Sequence, residues 1–263
     1  MQLRILRSLL VSLFVVASPS FLFSQTPVSD PQAVALAQQS IAALTNGVAV
    51  SDVTLSANVI WIAGSDNETG SATLLAKGTN ESRVDLSLTS GQRSEIRNDA
   101  SGPQGAWVDA GGTHAYAFHN CWTEAAWFFP VLSSLSAADS SIVLVYVGQE
   151  IRAGKTVQHL RSYRYVPARN AKMTALTQQL STTEFYLDAT SLLPVAITFS
   201  VHPDDDAGAN IPAEVRFSSY QVTNGVVVPL RVQKYLDGGL VLDIMVSTVS
   251  LNSGLADSTF NIQ

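Results

Sequence analysis

The sequence predicts a mainly β (α+β) fold: a curved antiparallel sheet of roughly 10–12 strands with helices covering its concave face. Three observations support this prediction. Short stretches alternate apolar and polar residues, and turn signals separate them at intervals of roughly ten to thirteen residues. The most aromatic stretch, residues 120–136 (NCWTEAAWFFPVLSSLS), lies between two β-rich halves. Only 14% of residues are charged, whereas about a quarter is usual, so Ser, Thr, Asn and Gln fill the polar positions.

The N-terminus has the pattern of a Sec-type secretory signal peptide over residues 1–24. Arg4 and Arg7 form a short basic region, and an apolar run of roughly ten residues and then small residues follow. We expect cleavage after Ser20 or Ser24, with Ser24 favoured; a retained signal anchor is the alternative. No cysteine stands near these positions, so there is no lipobox, and we expect a periplasmic or secreted protein.

Charge and hydropathy limit the partners. The formal net charge is −6, which argues against nucleic acid and against an anionic membrane surface. After the signal no apolar run is long enough to span a bilayer, so no transmembrane segment is expected. The length fits one large β-domain as well as two small ones, and we assign residues 25–263 to a single domain.

The first element after the signal is a helix over residues 31–45. Asp30 is its N-cap, Pro31 takes the first helical position, and Asn46-Gly47 ends it. The hydrophobic period then changes to two, which indicates an antiparallel meander with one solvated face. Its strands are predicted at residues 54–61, 71–76, 83–88, 92–97, 106–110 and 113–118.

After the aromatic stretch, the apolar run at residues 142–147 predicts a buried strand. Residues 170–180 are typical of a helix or a long loop, and residues 202–210 of an exposed loop. Asn224-Gly225 is a strong hairpin signal. The other strands of this half are predicted at residues 156–166, 185–188, 195–201, 213–218, 226–235 and 240–250.

The aromatic stretch predicts two short helical pieces with a break near Phe129. Trp122, Ala126 and Phe129 share one face at helical spacing. Pro130 lacks an amide hydrogen and disfavours helical dihedrals at Phe129. Its aromatic side chains either pack in the core or line or cover a cavity. The candidate ligand-binding residues are the aromatics of this stretch and two inward-facing strand residues: Trp61, Trp122, Trp127, Phe128, Phe129 and Phe217.

Three local segments resemble the LolA/LolB lipoprotein-carrier superfamily, in the wide sense that includes exported relatives. They are residues 185–199 (FYLDATSLLPVAITF), residues 218–235 (SSYQVTNGVVVPLRVQKY) and residues 255–260 (LADSTF). The order of elements is also similar, with a signal peptide, a helix, strands, a helical insertion and further strands. The resemblance implies an incomplete antiparallel β-barrel, a half-barrel domain with helices on its concave side. It assigns no binding residue.

No catalytic or metal-binding motif stands out. The sequence lacks GxSxG, GxxxxGK[ST], HExxH and CxxC patterns. Cys121 has no second cysteine to pair with. The spacing of His114 and His119 fits neither strand nor helix ligands, and residues 202–206 (HPDDD) lack calcium-loop spacing. We therefore expect no enzyme activity, no metal and no cofactor.

Two classes of function remain. In the first, the protein is an exported, non-catalytic binder that carries or senses an apolar ligand in the cell envelope: a lipid, an acyl chain or a lipidated protein. This class predicts a cavity of a few hundred cubic ångströms. In the second, it is an envelope protein–protein interaction or sensor module, with a filled core and no small-molecule ligand.

Overall fold

The computed structural model describes residues 26–98, 102–136, 139–167 and 170–262, so the predicted signal peptide (residues 1–24) lies outside the described residues. Within these ranges the chain forms one antiparallel sheet of thirteen strands and two α-helices, and the sheet is not closed. This confirms the predicted fold class, an incomplete barrel or curved sheet, with one strand more than the highest number predicted.

The elements follow the order expected from the sequence. α1 spans Pro31–Thr45, and α2 spans Ala171–Leu180, where a helix or a long loop was predicted. The strands are β1 (Asp52–Ala63), β2 (Asp66–Lys77), β3 (Glu81–Leu88), β4 (Gly91–Asn98), β5 (Gln104–Asp109), β6 (Gly112–Ala115), β7 (Ile142–Arg152), β8 (Lys155–Arg164), β9 (Thr183–Asp188), β10 (Pro194–Val201), β11 (Ile211–Thr223), β12 (Val226–Leu236) and β13 (Gly239–Leu251).

α1 begins and ends at the residues that its caps predict. The Asp30 side chain accepts a hydrogen bond from the amide of Gln32 at 2.7 Å, and Asn46 adopts a left-handed conformation with φ 48°. The helix packs against β7 and β12. Two of the side chains on its buried face are small: Ala33 and Ala37 are almost completely buried. These small side chains let the helix backbone approach the sheet closely.

The strand order places the consecutive strands β6 and β7 at opposite edges of the sheet. The order is β6-β5-β4-β3-β2-β1-β13-β12-β11-β10-β9-β8-β7. Every other consecutive pair is hydrogen-bonded, and β1 pairs with β13. The chain between β6 and β7 therefore runs from one sheet edge to the other, and we call its described residues, 116–136 and 139–141, the connector. The apolar residues in its second half belong to the main hydrophobic core, on the inner face of the sheet: Ala126, Trp127, Phe128, Phe129, Val131, Leu132 and Leu135.

The helical pieces predicted in the connector are wrong in type. The structure has three short 3-10 segments, Phe118–Trp122, Pro130–Leu132 and Ser134–Ser136, rather than α-helices. The predicted break is present, because Phe129 is extended (φ −133°, ψ 92°) immediately before Pro130. Every residue from Glu124 to Leu135 is buried. This part of the connector has no solvent-facing side, so the amphipathic pattern of a surface helix does not apply to it.

One hydrophobic core joins the inner face of the sheet, α1 and the connector. Phe128 and Phe129 are fully buried in it. Burial of each phenyl ring contributes about 1.5–3 kcal/mol relative to exposure. The sheet supplies alternate residues to the same core, among them Val53, Leu55, Leu74, Val215, Phe217 and Ile244.

Residues 142–147 form a strand, as predicted, but of these six residues only Val143 and Leu144 are buried. β7 is an edge strand, with Val147 46% and Ile151 77% exposed. Only its first part is covered. There the amide of Asp30 donates to the carbonyl of Leu144 (2.8 Å), and the Leu144 amide donates to Ser29 Oγ (3.0 Å). The apolar run marks the part of the edge that packs under α1, not a central position in the sheet.

The first and last strands join in the middle of the sheet. They pair from Val53 opposite Leu251 to Trp61 opposite Leu242. The carboxylate of Asp52 closes one end of this pair by accepting hydrogen bonds from the Ser253 amide at 2.7 Å and the Ser253 hydroxyl at 2.9 Å. The start of β1 and the residue pair that follows β13 are therefore held together by these hydrogen bonds.

Phe128→Ala is expected to lower the free energy of unfolding by about 3–5 kcal/mol, because it leaves a cavity in the core. Phe118→Ala is the matched control. It removes the same atoms from a side chain that is 61% exposed, and we expect a loss below about 1 kcal/mol. Urea unfolding followed by tryptophan fluorescence measures both changes. Equal losses would contradict the packing described for the connector.

Candidate functional site

A cavity of about 650 Å³ lies between the connector and one end of the sheet. Its walls come from β1, β3, β4, β5, β10, β12, β13 and the connector. The β1–β2, β10–β11 and β12–β13 connections meet at this end. Aromatic side chains form much of the apolar wall: Trp61, Trp107, Tyr116, Trp127 and Phe199. The volume lies within the range usual for small-molecule sites, about 300–1,000 Å³.

The structure brings two of the six candidate ligand-binding residues to this cavity, Trp61 and Trp127. Trp122 is half-buried beside a separate, much smaller pocket and packs edge-to-face on Phe118. The other three, Phe128, Phe129 and Phe217, are buried in the hydrophobic core. Ligand contact by any of the six stays a prediction.

Strand β4 places three charged side chains on the inner face of the sheet. Arg93 lies opposite Leu86 and Glu95 opposite Val84, and directly opposed residues of antiparallel strands share a face. Arg97 follows at the same spacing, and all three line the cavity. The sequence analysis noted alternation in this region but did not single out these residues. The signal that could have found them is the inward Val84, Leu86 pair on the preceding strand.

Glu95 is the centre of a charged cluster in the cavity wall. Trp127 Nε1 donates to its Oε1 at 3.2 Å, and Lys234 Nζ lies 3.4 Å from its Oε2. Lys234 Nζ also sits 4.2 Å from the centre of the Trp127 ring. Burial raises the pKa of the Glu95 carboxyl, but the charges of Lys234 and Arg97 and the Trp127 hydrogen bond outweigh burial and hold that pKa below its ordinary value. Glu95 is therefore ionised at neutral pH.

Arg97 fastens the connector to β4. Its guanidinium donates to the carbonyl of Cys121, to the carbonyl of Thr123 at 3.2 Å and to Thr123 Oγ1 at 3.1 Å. These bonds use backbone carbonyls in place of a carboxylate partner. The Nε atom of Arg97 is buried without a hydrogen-bond partner among the described residues. In the part of the chain that the structure describes, no carboxylate forms a direct ion pair with Arg97, and its charge acts at longer range on Glu95 and Glu124.

Gly105 allows the connector to enter the cavity wall. A Cβ atom at this position would lie 2.6 Å from Tyr116 Cδ2 and 2.9 Å from Arg97 Cδ. The missing side chain lets the Tyr116 ring lie over β5, where burial raises the pKa of its phenol. A larger residue at position 105 would displace the first part of the connector.

A second buried carboxyl, Glu124, lies in the smaller pocket on the other side of Arg97. Burial raises the pKa of Glu124, and the hydrogen bond from the Ser134 amide (3.1 Å) and the charges of Arg164 and Arg97 offset only part of this effect. Folding therefore favours the protonated form of Glu124.

The histidines contact backbone and carboxylate groups. His119 Nε2 lies 2.9 Å from the Pro203 carbonyl, and His202 Nδ1 lies 2.9 Å from that of Ala209. Among the described residues no group of three or more His, Cys, Asp or Glu side chains is placed to hold a metal ion. Within the same ranges, no helix has the length and apolar character needed to cross a membrane.

The architecture belongs to the class of open antiparallel half-barrels with a cavity under a crossing segment. It is similar to a LolA superfamily protein from Nitrosomonas europaea (TM-score 0.55, 11% identity, 87% of this chain and 97% of that one). It is also similar to a DUF1329 family protein from Desulfovibrio piger, with a TM-score of 0.55 and 14% identity over 88% of this chain and 98% of that one. A third similar structure is a domain from Vibrio parahaemolyticus described as an outer membrane lipoprotein-sorting protein domain. Its TM-score is 0.54, with 12% identity over 88% of this chain and 96% of that one.

These likenesses establish the fold alone, because the identities are low. The chain has a LolA-like fold, as the sequence resemblance predicted. No family model matches the sequence, and no curated protein matches it.

Glu124→Gln is expected to raise the melting temperature at pH 7. A carboxyl whose pKa is raised in the folded state contributes stability fully below its unfolded-state pKa, about 4.3, and loses that contribution as pH rises through the folded-state pKa. The uncharged amide escapes this loss, so the difference between variant and wild type should vanish at about pH 4. Thermal unfolding across this pH range measures it.

Glu150→Gln, which removes an exposed carboxylate, is the control and should show no such pH-dependent gain. A lower melting temperature for Glu124→Gln than for wild type at pH 7 would contradict the assigned burial.

Proposed function

We propose that the protein is an exported, non-catalytic binding protein that carries or senses an apolar ligand in the cell envelope, such as a lipid, an acyl chain or a lipidated protein. The observation that carries the proposal is the cavity of about 650 Å³ under the connector. Its walls combine several aromatic rings with a few placed polar groups, the usual composition of a small-molecule site.

Three further points support this assignment. The fold is shared with a Vibrio domain described as lipoprotein-sorting, so a carrier role is compatible with this architecture. The predicted signal peptide at residues 1–24 supports export to the periplasm or beyond. The Glu95 carboxylate in the cavity wall serves an ion pair and a hydrogen bond, which fits a binding wall better than an acid–base pair.

A second candidate, an envelope interaction or sensor module, is favoured by the β7 edge. Val147 and Ile151 are exposed on this strand, and an open edge offers backbone groups for pairing with a partner segment. In this alternative the cavity has no ligand of its own. Apolar-ligand binding therefore separates the two candidates.

Val201→Trp is expected to weaken binding of the neutral fluorescent probe N-phenyl-1-naphthylamine by about tenfold or more, because the indole fills part of the void. Val201 is half-buried on the cavity wall. Val222→Trp is the matched control, since Val222 is 68% exposed and does not line the cavity. Fluorescence titration measures both variants. Equal affinity in wild type and Val201→Trp would move binding away from this cavity.

Native mass spectrometry of the protein purified from its own cells gives a direct test. We expect a co-purifying mass of a few hundred daltons that extracts into organic solvent as lipid. A clean apo mass that does not shift on addition of fatty acids or phospholipids would instead favour the interaction module.

A further inference from the structure

The cavity wall carries more positive than negative charge, although the chain as a whole has formal net charge −6. The basic side chains in the wall are Arg93, Arg97 and Lys234, and the acidic ones are Glu95 and Asp204. Asp204 is exposed on the loop after β10, where solvent and salt screen its charge. The inner wall is therefore cationic.

The three cations differ in how the protein uses them. Lys234 pairs with Glu95, and Arg97 donates to connector carbonyls. Arg93 lies with its guanidinium carbon 4.5 Å from the centre of the Trp61 ring. Among the described residues no carboxylate lies within ion-pairing distance of the Arg93 guanidinium, and no side-chain hydrogen bond engages it.

The neighbouring carboxylates are already engaged elsewhere. Glu68, which lies opposite Trp61 in the β1–β2 pair, accepts hydrogen bonds from the Thr89 hydroxyl and the Ser90 amide, both at 2.7 Å. Glu95 is balanced by Lys234 and the Trp127 indole. The charge of Arg93 contributes to lowering the pKa of the Glu68 carboxyl, but Glu68 is not within ion-pairing distance of the guanidinium. The hydrogen-bond donors of Arg93 are thus left for a group that enters the cavity.

A guanidinium held against an indole face is a suitable receptor for a planar or tetrahedral anion. Stacking fixes the plane of the guanidinium, and its edge donors stay free for two parallel hydrogen bonds to oxygen atoms. Arg93 is half-buried, so such bonds form in a partly desolvated site, where they are stronger than in water. The aromatic rings beside it suit an apolar chain.

We propose that the ligand of this cavity is an anionic amphiphile, whose carboxylate or phosphate group binds the Arg93 guanidinium while its apolar chain lies along Trp61, Trp127 and Phe199. This inference rests on the proposed function, because it requires the cavity to bind an apolar ligand. It adds the charge of the headgroup and the residue that selects it.

Four probes with the same twelve-carbon chain test the headgroup: dodecanoate, dodecyl phosphate, dodecanol and dodecyltrimethylammonium. Each competes with N-phenyl-1-naphthylamine below its micelle concentration. We expect at least one acidic probe to bind about tenfold or more tightly than dodecanol, the gain usual for charge-assisted hydrogen bonds, and the cation to bind more weakly. The tighter of the two acidic probes distinguishes a fatty-acid from a phosphate source.

Arg93→Gln removes the proposed receptor. It should abolish the preference for the acidic probe, measured in the same variant as the ratio of the acidic-probe affinity to the dodecanol affinity. Lys155→Gln is the control, because Lys155 is exposed on β8 and its replacement changes net charge equally. The control should keep the full preference.

The possible failures are distinguishable. Equal binding of dodecanol and both acidic probes, or an unchanged preference in Arg93→Gln, would overturn the headgroup inference and leave the apolar carrier intact. If neither the neutral fluorophore nor any of the four probes binds wild-type protein, the proposed function fails and this inference fails with it.

Discussion

The pairing of β1 with β13 determines the rest of this architecture. Because the first and last strands pair in the middle of the sheet, the two edge strands are β6 and β7, which are consecutive in sequence. A chain that pairs its remaining neighbours must then cross the sheet once, and the connector does so on the inner face. Asp52, which binds Ser253 and Gly254, holds that central pairing at one end.

The crossing segment divides the inner face into two chemically different parts. Phe128 and Phe129 complete a dry core against the sheet and α1. At the other end, β4 presents Arg93, Glu95 and Arg97, and charges of this kind cannot be buried in a dry contact without full pairing. The connector meets them with carbonyls and an indole N–H in place of apolar packing. The cavity lies beside these charged side chains, because apolar side chains packed against them would remove the charges from water.

The sequence predicted those parts of the fold that local chemistry determines. The α1 boundaries follow from Asp30 and Asn46, and the strands follow from period-two alternation. The helix type of the connector and the edge position of β7 were mispredicted, because both depend on which strands lie next to each other. The site was only partly foreseen. The aromatic residues could be identified from their clustering in the sequence. The inward direction of Arg93 could not, because it depends on the register of Arg93 with Leu86, which is a property of a strand pair.

The central position of the β1–β13 pair also governs the order in which the chain can fold. The strands from β1 to β6 are local hairpins and can associate as soon as they are made, but one edge of β1 has no partner until residues 239–251 are present. Contacts of such sequence separation form slowly. During that interval the unpaired edge, with Leu55 and Val59 beside it, is a surface for wrong association between chains. The sheet therefore cannot be completed until its last strand, β13, has paired with β1.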